Sequence, residues 1–278
     1  MSRSLATGVG STAVAVLAAV VPLGAIAGPA AAVAEQPNAT AEESWPDKVV
    51  VGKSAQGRPI VAQRQGNPAA TKVLLVVGQM HGDEPKGPVV VRSLRKRKVP
   101  VTGDVAIWSI STINPDGQAR RRRVNARSVD LNRNFPTKWR LQGKGGGTYS
   151  GPKAVSERET KEVMAFVSRL RPDAIMSFHQ PLNTVMAVCD PKARPWVRLI
   201  GRLAGLPVPN PRNCKAANLW YPGTFNKWYT AHFPGWFATV ELPASSAVNR
   251  ARIRRYTNTI VRIAALMEDA PGQTAASQ

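Results

Sequence analysis

A chain of 278 residues can hold one large domain or two small ones, and no stretch of linker composition divides this one beyond its N-terminal region, so a single domain is expected. After the first 34 residues nothing is long or apolar enough to span a bilayer, which excludes a multi-span membrane protein. Lysine and arginine total 38 against 17 acidic residues, a formal charge of +21. Such a field draws polyanions, and its two readings are a basic soluble surface and a selected role toward polyanions, which for an exported protein are envelope polymers, acidic lipid surfaces or extracellular nucleic acid. No specific nucleic-acid partner is expected, because the run Arg120–Arg123 carries no interleaved aromatics.

The N-terminus has the layout of an export signal: Arg3, an apolar stretch from Ala13 to Ala27, then Ala32-Val33-Ala34 before Glu35. Residues 1–34 are read as a signal peptide, with an uncleaved anchor as the alternative, and 35–47 as a flexible lead-in. The mature protein is therefore expected to be secreted or in the cell envelope, with no transmembrane segment. Export lets Cys189 and Cys214 pair, closing a loop that the chain-entropy model values at about 3 kcal/mol, with two free thiols as the alternative.

Val49–Val51 and Ile60–Ala62 read as strands joined by a turn through Gly57-Arg58-Pro59. Val73–Val77 is a continuous apolar run suited to a doubly buried strand, followed by a helix over Pro88–Arg97 and a strand over Val105–Ile110. The glycine-rich stretch Asn114–Pro152 reads as a long loop, either functional or disordered. Ser156 and Glu159 have capping-box spacing ahead of a helix that carries Val163, Phe166, Val167 and Leu170. Strands at Asp173–Phe178, Val185–Val188 and Trp236–Glu241 follow, with helices through Trp196, Leu199, Ile200 and Leu203 and through Ile253, Tyr256, Ile260 and Ile263. Strands alternating with helices predict an α/β fold, with the folded domain over 48–268 and a flexible tail over 269–278.

The chain has three histidines. His81 and Glu84 stand three apart just past an apolar strand, offering the nitrogen and carboxylate donors that Zn²⁺ accepts. His179, at the end of another predicted strand, supplies a third ligand, while His232 lacks a carboxylate companion and reads as structural. Cobalt or manganese could occupy the same donor set. Glu241 closes an apolar strand, a costly place for a charge unless it has a partner or a task. Beside a metal it could take a proton from water and pass it to a leaving amine; the plainer reading pairs it with an arginine. Arg127, Asp130, Asn132 and Arg133 group planar guanidinium and amide donors suited to clamping a carboxylate and stabilising an oxyanion, or else form a basic solvated loop.

In order, Gly57-Arg58-Pro59-Ile60, His81-Gly82-Asp83-Glu84, Asn114-Pro115-Asp116-Gly117, Val129-Asp130-Leu131-Asn132-Arg133-Asn134-Phe135, Tyr149-Ser150-Gly151-Pro152, Ser177-Phe178-His179 and Val240-Glu241-Leu242 resemble the zinc carboxypeptidase family, of carboxypeptidase A type. The resemblance spans about 48–268, and Gln180-Pro181-Leu182 with the compact loops is nearest the bacterial murein-peptide amidase branch. It implies a three-layer α/β sandwich around a mixed, mostly parallel sheet of about eight strands. It implies one Zn²⁺ on His81, Glu84 and His179, and Glu241 as general base and acid. Asp130 would orient the first histidine, and Asn132 with Arg133 would hold a substrate carboxylate. Both Arg127 and Arg123 fit the carbonyl-polarising arginine, with Arg127 favoured, and Tyr221 approximates the tyrosine that closes over the substrate.

The function these residues imply is an exported zinc peptidase acting on short C-terminal or peptidoglycan-derived peptides. Two other functions compete with it. One is an N-acyl amino acid deacylase with the same zinc site; the other is a non-catalytic, basic envelope-binding protein on the same scaffold.

Overall fold

The computed structural model describes residues 45–97, 103–186, 189–209 and 221–269. The expected signal peptide, most of the lead-in, nearly all of the tail and Cys214 lie outside them. Among the described residues no helix is long and apolar enough to cross a membrane, and Cys189 is disulfide-bonded.

Seven strands form one sheet: β1 (Lys48–Lys53), β2 (Pro59–Gly66), β3 (Lys72–Val77), β4 (Val105–Ile110), β5 (Ala174–His179), β6 (Thr184–Met186) and β7 (Trp236–Glu241), in the order β1-β2-β4-β3-β5-β7-β6. The four central strands β4, β3, β5 and β7 are mutually parallel, and β1, β2 and β6 join antiparallel at the flanks. Every residue of β4 and β5 is buried, as continuous apolar runs require when both faces of a parallel sheet are covered.

Alternation along β3 sends Leu74 and Val76 to one core and Leu75 and Val77 to the other. The first core is closed by α1 (Lys86–Arg95), α4 (Ala193–Ala204) and α6 (Arg250–Glu268), and the second by α3 (Arg158–Leu170) and α5 (Phe225–His232). This is the expected three-layer α/β sandwich, with seven strands among the described residues where about eight were expected.

Local boundaries differ in informative ways. α1 begins at Lys86, so Pro88 falls in its first turn, where no intrahelical donor is required. Ser156 and Glu159 do not form a capping box: Ser156 Oγ donates to Glu157 Oε1 at 2.7 Å, and Glu159 turns inward to accept the Ala55 amide at 3.0 Å. The loop from Asn114 contains a short helix, α2 (Pro115–Arg120), capped by Asn114, whose side chain accepts from the Gly117 amide. α5 lies where no element was predicted. Its N-cap Thr224 accepts from the Lys227 amide, and Phe225, Trp228 and Tyr229 bury against the second core.

Candidate active site

Parallel strands deliver the site. His81 and Glu84 follow β3, His179 is the last residue of β5 and Glu241 the last of β7, and these three strands are neighbours. His179 and Glu241 are register partners, so both side chains leave the same face of the sheet. Open α/β sheets place their ligands at this carboxyl edge.

The turn carrying His81 and Glu84 is shaped from behind. Gln79 donates through Nε2 to the carbonyls of Gly82 (3.2 Å) and Glu84 (3.1 Å), and Asn114 donates through Nδ2 to those of Met80 (3.0 Å) and Arg123 (3.2 Å). Gly82 lies so close to α2 that a Cβ there would sit 2.0 Å from the Gly117 carbonyl carbon. Asp116, fully buried, ties α2 to the β1–β2 turn by accepting the Gln56 amide at 3.0 Å and Arg58 Nη1 at 2.6 Å. The Gly-Arg-Pro and Asn-Pro-Asp-Gly segments thus hold the metal turn in place.

His81 Nδ1, His179 Nδ1 and the Glu84 carboxylate converge. The two ring nitrogens are 3.3 Å apart, Glu84 Oε1 is 2.7 Å from His81 Nδ1, and Glu84 Oε2 is 3.1 Å from His179 Nδ1. All three residues are buried, and among the described residues no other group of this kind could hold a metal. Each remaining ring nitrogen has a partner: Asp130 Oδ1 lies 3.1 Å from His81 Nε2, and Ser177 Oγ 3.3 Å from His179 Nε2. Metal-ligating imidazoles characteristically use their second nitrogen this way. Ser177 was not anticipated from sequence, although its place two residues before His179 on one strand face carries the signal.

The charges are strongly coupled. Burial pulls the His81 imidazole down, but hydrogen bonds and charge from Asp130 and Glu84 outweigh it and raise the ring to about 9. Burial pushes Glu84 up, yet the neighbouring histidines bring its carboxyl to about 2. Asp130 is held well below the usual range: burial opposes its ionisation, while His81, Arg123 and Arg133 favour it more. Such a cluster suits a divalent cation, which binds neutral imidazoles and carboxylate and displaces their protons. Two imidazole nitrogens with one carboxylate form a catalytic zinc donor set. In keeping with that fit, Glu241 Oε2 is buried without a hydrogen-bond partner. Burial chiefly raises the Glu241 carboxyl above its ordinary range.

Of the two candidate arginines, Arg123 lies nearer the cluster. Its Nη1 lies 3.2 Å from His81 Nδ1 and 3.7 Å from Glu84 Oε1, and it grips Asp130 Oδ2 through Nε (3.2 Å) and Nη2 (2.9 Å). The favoured Arg127 instead sits at the tip of a small loop, largely exposed, with Nε 3.7 Å from Glu157 Oε2. Asn125 causes the difference: its Oδ1 accepts the amides of Arg127 and Val129, curling 125–129 so that Arg123 and Asp130 meet at its base. Ser128 turns this loop at φ 61°.

Arg133 is buried beside the cluster and donates to the Asn132 carbonyl at 2.7 Å. Its guanidinium carbon lies 4.9 Å from the centroid of the exposed Tyr221 ring. Asn132 Oδ1 accepts the Phe225 amide at 3.1 Å, which fixes the start of α5 against this pair. His232 stays apart, its Nδ1 2.7 Å from the Trp228 carbonyl.

A family model described as zinc carboxypeptidase matches residues 38–274. Murein peptide amidase A of Vibrio campbellii is 30% identical over 215 residues, 70% of this chain and 79% of that protein. The Escherichia coli K12 protein of the same name is 28% identical over 66% of this chain and 79% of its own length. Among solved structures, murein-tripeptide amidase MpaA from Escherichia coli O157 superposes with a TM-score of 0.61 at 24% identity, covering 82% of this chain and 94% of that one. Carboxypeptidase A from Helicoverpa armigera gives 0.62 at 19%, covering 80% and 69%. Motifs, sheet and ligand cluster agree with these likenesses, and the chain belongs to the zinc carboxypeptidase family of hydrolases.

Proposed function

We propose that the protein is an exported, zinc-dependent peptidase that hydrolyses an amide bond in short, carboxylate-bearing peptides of murein type. The observation that carries this reading is the convergence of His81, Glu84 and His179 within 4.8 Å of one another, with Glu241 at the end of the next strand. His81, Glu84 and His179 would hold the ion, which supplies Lewis acidity at the scissile carbonyl. Glu241, with its proton affinity raised by burial, takes a proton from the attacking water and returns it to the departing nitrogen. Arg123, braced by Asp130, stabilises the charge that grows on the carbonyl oxygen. Arg133 and Asn132 receive the substrate carboxylate, and Tyr221 stands over that position.

The murein assignment rests on the amidase relatives, whose lengths this chain largely covers, together with the signal-like N-terminus. Incubation with a murein tripeptide containing a γ-D-glutamyl–diaminopimelate bond, beside ordinary C-terminal peptides, tests it. Release of diaminopimelate supports the reading, and cleavage of the ordinary peptides alone removes its murein part. Glu241→Gln should retain zinc and lose about 10²- to 10⁴-fold in kcat.

A further inference from the structure

Two helices start at the catalytic edge and run down the same face of the sheet. α1 begins at Lys86, just after Glu84, and α6 at Arg250, after the segment that follows Glu241. Between them lies a groove of about 480 Å³ whose charged lining is Lys86, Lys96, Arg97, Arg250 and Arg254, with no carboxylate. The rest of its lining is uncharged, with residues such as Val89, Ile253 and Thr257. Across α6 a second groove of about 320 Å³, against α4, continues through Arg254, Arg255 and Arg262, again without a carboxylate. Among the described residues none of these seven cations forms an ion pair with an acidic group.

Parts of this surface are built rather than loose. Arg255 donates through Nε to the Leu203 carbonyl at 2.7 Å and through Nη2 to that of Arg202 at 3.2 Å, and Arg97 reaches Asn258 Oδ1. The α1 side of the groove, ten residues long, extends about 15 Å from the catalytic rim. Like charges gathered without counter-ions repel one another, a cost that a bound anion removes. Guanidinium forks pair with phosphate oxygens two bonds at a time. Neither groove is lined by an aromatic ring, so bases would find no stacking platform.

We propose that the α1–α6–α4 face binds a linear phosphodiester chain of the polyol- or sugar-phosphate kind, laid from the catalytic rim along both grooves. This surface is separate from the hydrolytic centre and does not depend on the reaction assigned to it.

Fluorescence anisotropy of the full chain with a labelled glycerol-phosphate oligomer tests the proposal, beside oligothymidylate and polyglutamate of equal charge. The triple variant Lys96→Ala, Arg250→Ala, Arg254→Ala should weaken glycerol-phosphate binding about tenfold or more and lower the slope of log K against log salt by about two to three. The control triple Lys48→Ala, Lys53→Ala, Lys161→Ala removes the same charge from β1 and α3, and should change affinity less than about twofold. Peptide hydrolysis should be unchanged in both. Equal weakening by the two triples would reduce the effect to net charge and overturn the site. Tighter binding of oligothymidylate or polyglutamate than of the oligomer, or no binding by the parent, would also overturn it.

Discussion

Replacing Arg123 and Arg127 separately by alanine distinguishes the arginine that faces the metal cluster from one that decorates a loop. Arg123 Nη1 lies 3.2 Å from His81 Nδ1, so the guanidinium borders the place where a carbonyl would be polarised. Losing one preorganised donor of that kind costs about 2.7–4 kcal/mol of transition-state stabilisation, or about 10²- to 10³-fold in kcat. The same change strips Asp130 Oδ2 of its two arginine bonds and should lower stability by about 1–3 kcal/mol. Asp130 Oδ1 would keep His81 Nε2 and the Asn132 amide, so zinc should still bind. Arg127, by contrast, contacts Glu157 only at 3.7 Å from a largely exposed position. Its removal should leave kcat within about twofold. Single-turnover hydrolysis with parallel zinc determination and circular dichroism separates rate, metal content and folding. A hundredfold loss in Arg127→Ala, with Arg123→Ala near parental rate, would refute the geometric assignment.

Three further perturbations probe the scaffold. Asp130→Asn should weaken zinc about 10- to 100-fold in competitive titration with a chromophoric chelator, because the carboxylate orients His81; undiminished affinity would show that the ring is held by packing alone. Gly82→Ala drives a Cβ to 2.0 Å from the Gly117 carbonyl carbon and should lower stability by about 1–3 kcal/mol with a loss of bound zinc, readable by thermal melts of the apo and loaded forms. The Glu159 carboxyl is raised mainly by burial, so its stabilising contribution is complete below its unfolded pKa and is lost as pH rises through the folded value. Glu159→Gln removes that loss, and its Tm relative to the parent should climb from pH 4.5 to 8; a flat or falling difference would contradict the sign.

The central strands were legible because β3, β4, β5 and β7 are continuous apolar runs that survive burial on both faces. β5 and β7 end on His179 and Glu241 and His81 follows β3, and polar side chains at the close of apolar runs stand out in one dimension. The arginine does not. Whether Arg123 or Arg127 faces Asp130 depends on Asn125 curling the loop through two amide bonds, and spacing along the chain does not encode that curl. α2 carried a readable signal, an Asn-Pro cap followed by residues with no strand pattern, but it lay inside a stretch dominated by glycine and arginine. α5 offered only eight residues, and its aromatics bury through tertiary contact with Phe135 and Phe237 rather than through a helical period visible alone. The capping-box pattern misled because Glu159 has a better use for its carboxylate, accepting the Ala55 amide and Asn125 Nδ2.

Metal stoichiometry tests the central claim most directly. Apo protein prepared with chelator and titrated with zinc should bind one equivalent and regain hydrolysis in step. A zinc-edge anomalous difference map should show a single peak bounded by His81 Nδ1, His179 Nδ1 and the Glu84 carboxylate. Hydrolysis that persists after complete chelation, or a peak outside those three side chains, would contradict the account.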